Sequence, residues 1–294
     1  MKIEKIIGGS DRIFLRIKNE DSFVLIKDNP FSNDFISYIK IQRFLKKKNL
    51  GVPEIYYFDL NNGILIVEDL GKNSLFKSPE EKNYIKVIDF LVKMQVEGIK
   101  GFMNLKLPYK KIFDKEKLLY ETEYFKNFYL MNYLKIKFKK EIKNSFDFLA
   151  EKISKLNYFF MHRDFQSKNI FIKDGKIKIT DFQTAHKGPF TYDLASLIFD
   201  PYVDLDEKVI EKLLKHYYEK MRDKINLNFN DFHFYLKLTG VQRLMQALAA
   251  YVNLSFFKNK REFKKYIKVA ERKIKKILRE LNIKEIEPLK EIFL

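Results

Sequence analysis

Residues 161–198 read MHRDFQSKNIFIKDGKIKITDFQTAHKGPFTYDLASLI, and the fold turns on this stretch. Ile170-Phe171-Ile172 and Ile177-Lys178-Ile179 are short apolar runs on either side of Asp174-Gly175. Asp-Gly in that setting is a strong hairpin signal, because a type I′ turn needs positive φ at both central positions. Centring the turn there pairs Lys173 with Lys176 and, counting outward, sets Asn169 opposite Thr180, next to Asp181. Cross-strand neighbours lie about 5 Å apart at Cβ, so Asn169 and Asp181 meet at the open end of the hairpin. Asp164 sits in the loop just before. Three oxygen-bearing side chains then converge without a histidine or cysteine of the metal-binding kind. Hard oxygen ligands suit Mg²⁺, which is commonly held by one or two carboxylates together with substrate phosphates.

His162-Arg163-Asp164-x-x-x-x-Asn169 matches the H-R-D-x-x-x-x-N catalytic loop of protein kinases, and Asp181-Phe182-Gln183 stands where kinases place Asp-Phe-Gly. Two such motifs in order, joined by a hairpin, carry far more weight than a lone HRD tripeptide. The resemblance implies an α+β, protein-kinase-like fold of two lobes, a small β-rich N-terminal lobe and a larger, mainly helical C-terminal lobe. It implies that Asp164 accepts or orients the proton of an attacking hydroxyl. Asn169 and Asp181 would hold the metal that bridges the phosphates of ATP, and His162 would support the loop.

The segment Gly188-Pro189-Phe190-Thr191-Tyr192-Asp193-Leu194-Ala195-Ser196-Leu197 resembles the Y-D-L-A-S-L region of aminoglycoside phosphotransferase relatives. Asp193 would cap the following helix and brace the catalytic loop; an ordinary helix N-cap reads the same way. The interval from Asp181 to Tyr192 leaves no room for the activation segment of a protein kinase, which disfavours a protein substrate. More specifically, the chain is similar to bacterial anomeric sugar kinases acting on N-acetylmuramate and N-acetylglucosamine. The matching pieces are HRDFQSKN (162–169), DFQTAHKGPFTYDLASL (181–197), Glu121-Thr122-Glu123-Tyr124-Phe125 with Phe128-Tyr129, Leu70-Gly71 after Glu68-Asp69, and Gln242-Arg243. That likeness implies ATP and Mg²⁺ as cofactors and a small-molecule acceptor, a sugar by preference. Gln166, Gln183 and Arg243 are the candidates to face it. Arg243 would suit a sugar acid, but Val241, Leu244, Leu248 and Val252 also mark its helix as a packing helix.

The rest of the chain fits around this centre. Residues 13–18 and 22–27 read as strands about an Asn19-Glu20-Asp21 turn, and residues 33–48 as a helix stopped by Gly51-Val52-Pro53. Residues 55–58 and 64–67 are two more strands about Asn61-Asn62-Gly63. After Gly71 the periodicity turns helical, over 80–97, 114–134 and 138–156. The expected division is a nucleotide-binding lobe over residues 1–70 and a catalytic and substrate-binding lobe over 71–294. Gly8, Gly9 and Ser10 stand where a phosphate-covering loop belongs, though an ordinary tight turn fits equally. Phe23-Val24-Leu25-Ile26-Lys27 resembles the strand carrying the phosphate-binding lysine, which assigns that role to Lys27. Kinases pair this lysine with a glutamate on the next helix, yet no glutamate occurs between residues 28 and 53, where Asp28 and Asp34 are the only carboxylates. The stretch Ile66–Leu70 would be the hinge, with Glu68 and Leu70 offering backbone groups to the adenine.

Composition bounds the alternatives. The 294 residues are 46% hydrophobic, enough for a sizeable core, and no run approaches the roughly 20 apolar residues of a membrane span. Met1-Lys2-Ile3-Glu4-Lys5 is charged and lacks an apolar signal core, so a soluble cytoplasmic protein with no membrane partner is expected. There is no cysteine, which excludes disulfides and thiolate chemistry, and the four histidines form no H-x-x-x-H pair. The net charge of +18 raises the question of a nucleic-acid partner. Its densest stretch, from Lys258 to Arg279, has Phe263, Tyr266, Ile267, Ala270, Ile274, Ile277 and Leu278 at helical spacing, with Leu281 beyond it, the reading of a solvated helix face. No recognised nucleic-acid motif accompanies the charge, so nucleic acid is not the expected partner. The sequence sets no oligomeric state. The competing functions are a sugar kinase acting at the anomeric hydroxyl, a kinase for an aminoglycoside, choline or similar alcohol, and a nucleotide-binding pseudokinase.

Overall fold

The computed structural model describes residues 1–6 and 12–294 of the chain, and they divide into two compact units. One contains residues 1–111 and 162–187, the other residues 112–161 and 188–294. Gly8, Gly9 and Ser10 lie outside the described residues.

The first unit is built on an antiparallel sheet of β1 (Lys2–Ile6), β2 (Ile13–Lys18) and β3 (Ser22–Lys27), followed after helix α1 (Asn33–Lys47) by β4 (Ile55–Asp59) and β5 (Ile64–Glu68). The spatial order is β1-β2-β3-β5-β4, with Leu15 opposite Leu25 and Val24 opposite Val67. Val24 and Ile26 on β3, like Leu65 and Val67 on β5, are buried at every second position, the period that gives a sheet one covered face. Helix α1 starts at Ser32, whose hydroxyl accepts from the Asp34 N–H, and keeps Asp34 in its first turn, the favourable end of the helix dipole. Helix α2 (Glu81–Ile99) completes the N-terminal part of this unit.

The second unit is mainly helical, with α3 (Lys115–Phe125), α4 (Lys140–Ser154) and a short strand β6 (Tyr158–Met161). The 114–134 helix expected from periodicity is α3 continued by a π-helical stretch, Lys126–Tyr133, where Tyr129 stays buried and stacks on Phe125 with ring centres 5.1 Å apart. The chain then returns to the first unit for β7 (Ile170–Lys173) and β8 (Lys176–Ile179), and crosses back within β9 (His186–Pro189).

Helices α5 (Thr191–Ile198), α6 (Glu207–Ile225), α7 (Phe229–Val252), α8 (Lys264–Glu280) and α9 (Glu287–Phe293) follow. Helix α7 is the core, its residues 238–245 all buried. At Gly240 a Cβ would meet the Phe199 ring at 2.5 Å and Ile277 Cδ1 at 3.1 Å, so only glycine lets these side chains approach the α7 backbone. Helix α8 behaves as its spacing predicts. Phe263, Tyr266, Ile267, Ala270, Ile274, Ile277, Leu278 and Leu281 are all buried, each large side chain contributing about 1.5–3 kcal/mol. Arg272 and Lys276 meanwhile pair at the surface with Asp204 and Glu207. Among the described residues no helix is long and apolar enough to cross a membrane.

Candidate active site

The hairpin forms in the register read from the sequence. Lys173 pairs with Lys176 and Ile170 with Ile179, while Asp174 (φ 50°) and Gly175 (φ 73°) take the two positive φ values of the turn. At the open end the Thr180 N–H donates to the Asn169 carbonyl at 2.9 Å. Asn169 in turn donates from Nδ2 to the Asp164 carbonyl at 3.0 Å, and the Gln166 N–H donates to that same carbonyl at 2.9 Å. The loop 164–169 is thereby folded onto itself, with Gln166 half-buried in its middle.

Asp181 has φ 65° and Arg163, one residue before Asp164, has φ 80°. Left-handed backbone at a residue other than glycine is uncommon and clusters at functional sites. Although the residue is exposed, desolvation by the protein around its carboxyl, and then the charge of Asp164, push the Asp181 carboxyl above the usual carboxylate range, against the opposing pull of the Gln183 amide and the Arg12 guanidinium. The Gln183 Nε2 donates to Asp181 Oδ1 at 2.8 Å. Phe182 is fully buried and its ring lies 4.7 Å from that of Tyr38 on α1. His162, also fully buried, meets the Thr180 carbonyl through Nε2 at 2.9 Å, tying the start of the 162–169 loop to the residue before Asp181. Burial holds its imidazole down at about 4, against the raising influence of Asp164.

The segment 68–71, at the expected hinge, is fastened on two sides. The carboxylate of Glu68 receives Lys173 Nζ at 2.8 Å, and also Lys178 Nζ, while Lys173 donates to the Asp69 carbonyl at 2.9 Å. Burial opposes ionisation of Glu68, but the two ammonium groups and the Glu54 N–H outweigh it, and its carboxyl titrates below the usual range. Asp69 accepts from Arg16 Nε at 2.8 Å, from the Ser22 hydroxyl and from the Gly71 N–H at 2.8 Å. Leu70 is buried between them in sequence. Sequence reasoning gave Glu68 a backbone role; its side chain, and that of Asp69, anchor the hinge to the β7–β8 hairpin and to the β2–β3 strands.

Lys27 lines a cleft of about 410 Å³ together with Arg12, Asp28, Ser32, Asp34 and Gln183. Its ammonium donates to the carbonyl of Asn62, in the turn between β4 and β5. The missing helix glutamate has a counterpart that sequence reading did not identify. Arg12 donates from Nε to Asp28 at 2.7 Å and from Nη2 to Asp34, on α1, at 2.9 Å.

Two expected residues belong to the second unit. Arg243 is buried on α7, where Nε donates to the Ser196 hydroxyl at 2.8 Å, Nη1 reaches Gln246, and the guanidinium lies 5.9 Å from the centre of the Tyr192 ring. Asp193 is not the cap of its helix: the N-cap is Phe190, which makes no side-chain cap bond, and Asp193 lies inside the first turn, fully buried. The chain enters α5 directly from β9, which leaves no polar residue at the cap position. Glu121, Tyr192 and Gln242 form a buried network missed from sequence, in which the Tyr192 hydroxyl lies 2.8 Å from both Glu121 oxygens and Gln242 Nε2 donates to the Leu118 carbonyl at 3.0 Å.

The donor set suits a small hard cation. Asp181 is solvent-exposed, and the neighbouring charge of Asp164 disfavours its ionised form, so a divalent cation beside it would relieve the repulsion. Among the described residues no group of three or more His, Cys, Asp or Glu converges to hold a metal. The remaining ligands would have to come from phosphate and water, as Mg²⁺ usually takes them.

The profile of the phosphotransferase enzyme family matches residues 2–225, and the chain belongs to that family. It is a small-molecule kinase with the kinase-like α+β fold. Over 266 residues it is 26% identical to an N-acetylmuramate/N-acetylglucosamine kinase of Pseudomonas aeruginosa, covering 85% of this chain and 77% of that one. A kinase of the same description from Neisseria meningitidis is 24% identical over 269 residues, covering 86% and 78%. Among solved structures, a choline kinase from Cryptosporidium parvum superposes with a TM-score of 0.66 at 13% identity, over all of this chain and 91% of the other.

Proposed function

We propose that the protein transfers the γ-phosphate of ATP, in a Mg²⁺-dependent reaction, to the anomeric hydroxyl of a sugar or amino sugar. The observation that carries this reading is the constellation of Asp164, Asn169 and Asp181 in one folded loop and hairpin end. The choice of acceptor is supported by the relatives described as N-acetylmuramate/N-acetylglucosamine kinases.

In this reading Asp164 takes or orients the proton of the attacking hydroxyl, and the hydrogen bonds that Gln166 and Asn169 make to its carbonyl hold its backbone in place. Asn169 and Asp181 would hold Mg²⁺, whose charge would neutralise the phosphates during transfer. The backbone at Glu68 and Leu70 would receive the adenine, on a segment immobilised by Lys173, Lys178, Arg16 and Ser22. Gln166 and Gln183 would meet the acceptor. Arg243 would contribute by orienting the residues around it, since its guanidinium is already engaged with Ser196 and Gln246. Residues 1–70 would hold the nucleotide and residues 71–294 would carry catalysis and the acceptor, in a protein working in the cytoplasm.

The test is ADP release from Mg-ATP across a panel of N-acetylmuramate, N-acetylglucosamine, neutral hexoses, choline and an aminoglycoside, with Asp164→Asn alongside. Turnover on an N-acetylated sugar, lost by 10²–10⁴-fold in the variant while the fold is kept, is expected for a positioned general base. Turnover on choline or an aminoglycoside alone would move the acceptor assignment, and full activity of Asp164→Asn would remove the mechanism.

A further inference from the structure

Arg12 stands at the start of β2 with only 9% of its side chain exposed. It is held at two points, Nε on Asp28 Oδ2 at 2.7 Å and Nη2 on Asp34 Oδ2 at 2.9 Å. Asp28 directly follows β3, and Asp34 lies in the first turn of α1, so one guanidinium ties together the beginning of β2, the end of β3 and the beginning of α1. Gln183, which lines the same cleft as Arg12, donates to Asp181 at 2.8 Å, so the cleft lies at the Asp181 end of the hairpin. A guanidinium has five N–H donors, and the two bonds to aspartate use two of them.

The cleft that Arg12 lines is also lined by Gln183, 5% exposed, whose Oε1 is buried and has no hydrogen-bond partner among the described residues. A buried acceptor with nothing to accept from is costly, and beside a fixed cation with spare donors it points to an absent polar ligand. Lys27 shares the cleft, but its ammonium donates to the Asn62 carbonyl, and no glutamate occurs between residues 28 and 53 to pair with it from α1.

We infer that Arg12 is the cation that binds the α- and β-phosphates of the nucleotide, with Asp34 of α1 and Asp28 as the residues that position it. The inference rests on the kinase reading above. It replaces the lysine–glutamate pair of kinases by an arginine–aspartate pair that comes from a different strand and reaches the same helix. The exchange is chemically sound: a guanidinium stays charged at every working pH, and its planar fork can grip phosphate with two parallel bonds while other donors remain on aspartate. Lys27 is left as a secondary charge at the cleft edge.

The test measures binding of MgADP and of adenosine by titration calorimetry on the full chain, for the wild type, Arg12→Met, Arg12→Lys, Asp34→Asn and Lys27→Met. Arg12→Met is expected to weaken MgADP at least tenfold and adenosine less than twofold, with Arg12→Lys recovering part of the loss. Asp34→Asn should weaken MgADP by a few-fold with adenosine unchanged, and Lys27→Met should cost less than Arg12→Met. Arg12→Met binding MgADP within twofold of wild type would overturn the inference, and so would equal losses for MgADP and adenosine, which mark a structural anchor. If Arg12→Met does not fold, Arg12→Lys decides: a loss of at least threefold for MgADP alone supports the role, and unchanged MgADP affinity removes it. Failure of the kinase reading registers differently, as a wild type that binds no MgADP, or as full turnover by Asp164→Asn whatever Arg12 does.

Discussion

The proposed mechanism asks Asp181 to do two opposed things. A ligand for Mg²⁺ must be ionised, yet desolvation by the surrounding protein and the neighbouring Asp164 both resist that charge. The neutral, nearly isosteric Asp181→Asn keeps an oxygen for Gln183 while removing the repulsion. It should therefore lose activity by at least 10²-fold and yet melt at the same temperature or higher. The midpoint is read by calorimetry without nucleotide, and a melting point several degrees lower would mean that the charge stabilises the fold. His162 carries the opposite test. Its imidazole titrates at about 4 in the folded chain, against an ordinary 6.5. Between these values the unfolded chain binds a proton that the folded one refuses, so stability is intact above about pH 6.5 and falls as pH drops toward 4. The full loss is on the order of 3 kcal/mol. Urea unfolding of His162→Gln should lack this share of the decline between pH 6.5 and 4; identical pH profiles would show that the ring is protonated in the fold.

At the scale of elements, the β7–β8 hairpin carries most of what the sequence made legible. Asp174-Gly175 dictates a local turn, and register follows by counting, so Asn169 could be set beside Thr180 without knowledge of any distant contact. Strands 13–18 and 22–27 and the buried side of α8 were legible for the same reason, a local period. The contacts that fasten the hinge were not. Lys173 and Lys178 reach Glu68 across more than a hundred residues, and Arg12 reaches Asp34 across 22, in a chain with many lysines and no pattern to single these out. Lys27 shows the converse: its strand motif matches, but its side chain ends at the Asn62 carbonyl. Because both lysines converge on Glu68, Glu68→Gln should leave two partly buried ammonium groups facing each other. Their partial exposure limits the cost to about 1–2 kcal/mol. The loss should show in chemical denaturation and shrink when Lys178→Met is added; an additive double variant would mean that the pairs are not coupled.

For the molecule as a whole, the net charge of +18 tells less than the placement of a few carboxylates. Helix α8, the most basic stretch, spends its apolar side on the core and pairs part of its basic side with Asp204 and Glu207. The proposed chemistry draws instead on residues 162–183, where one loop and one hairpin carry Asp164, Asn169 and Asp181. Membership of the phosphotransferase enzyme family fixes the class of reaction, and the acceptor hydroxyl is what the proposal adds. The most direct test is phosphorus NMR of the product formed from Mg-ATP and N-acetylmuramate or N-acetylglucosamine. The account predicts a new phosphate resonance coupled to the anomeric proton of the sugar, absent when Asp164→Asn replaces the wild type. A phosphate on any other hydroxyl, or the same anomeric product formed undiminished by Asp164→Asn, would contradict it.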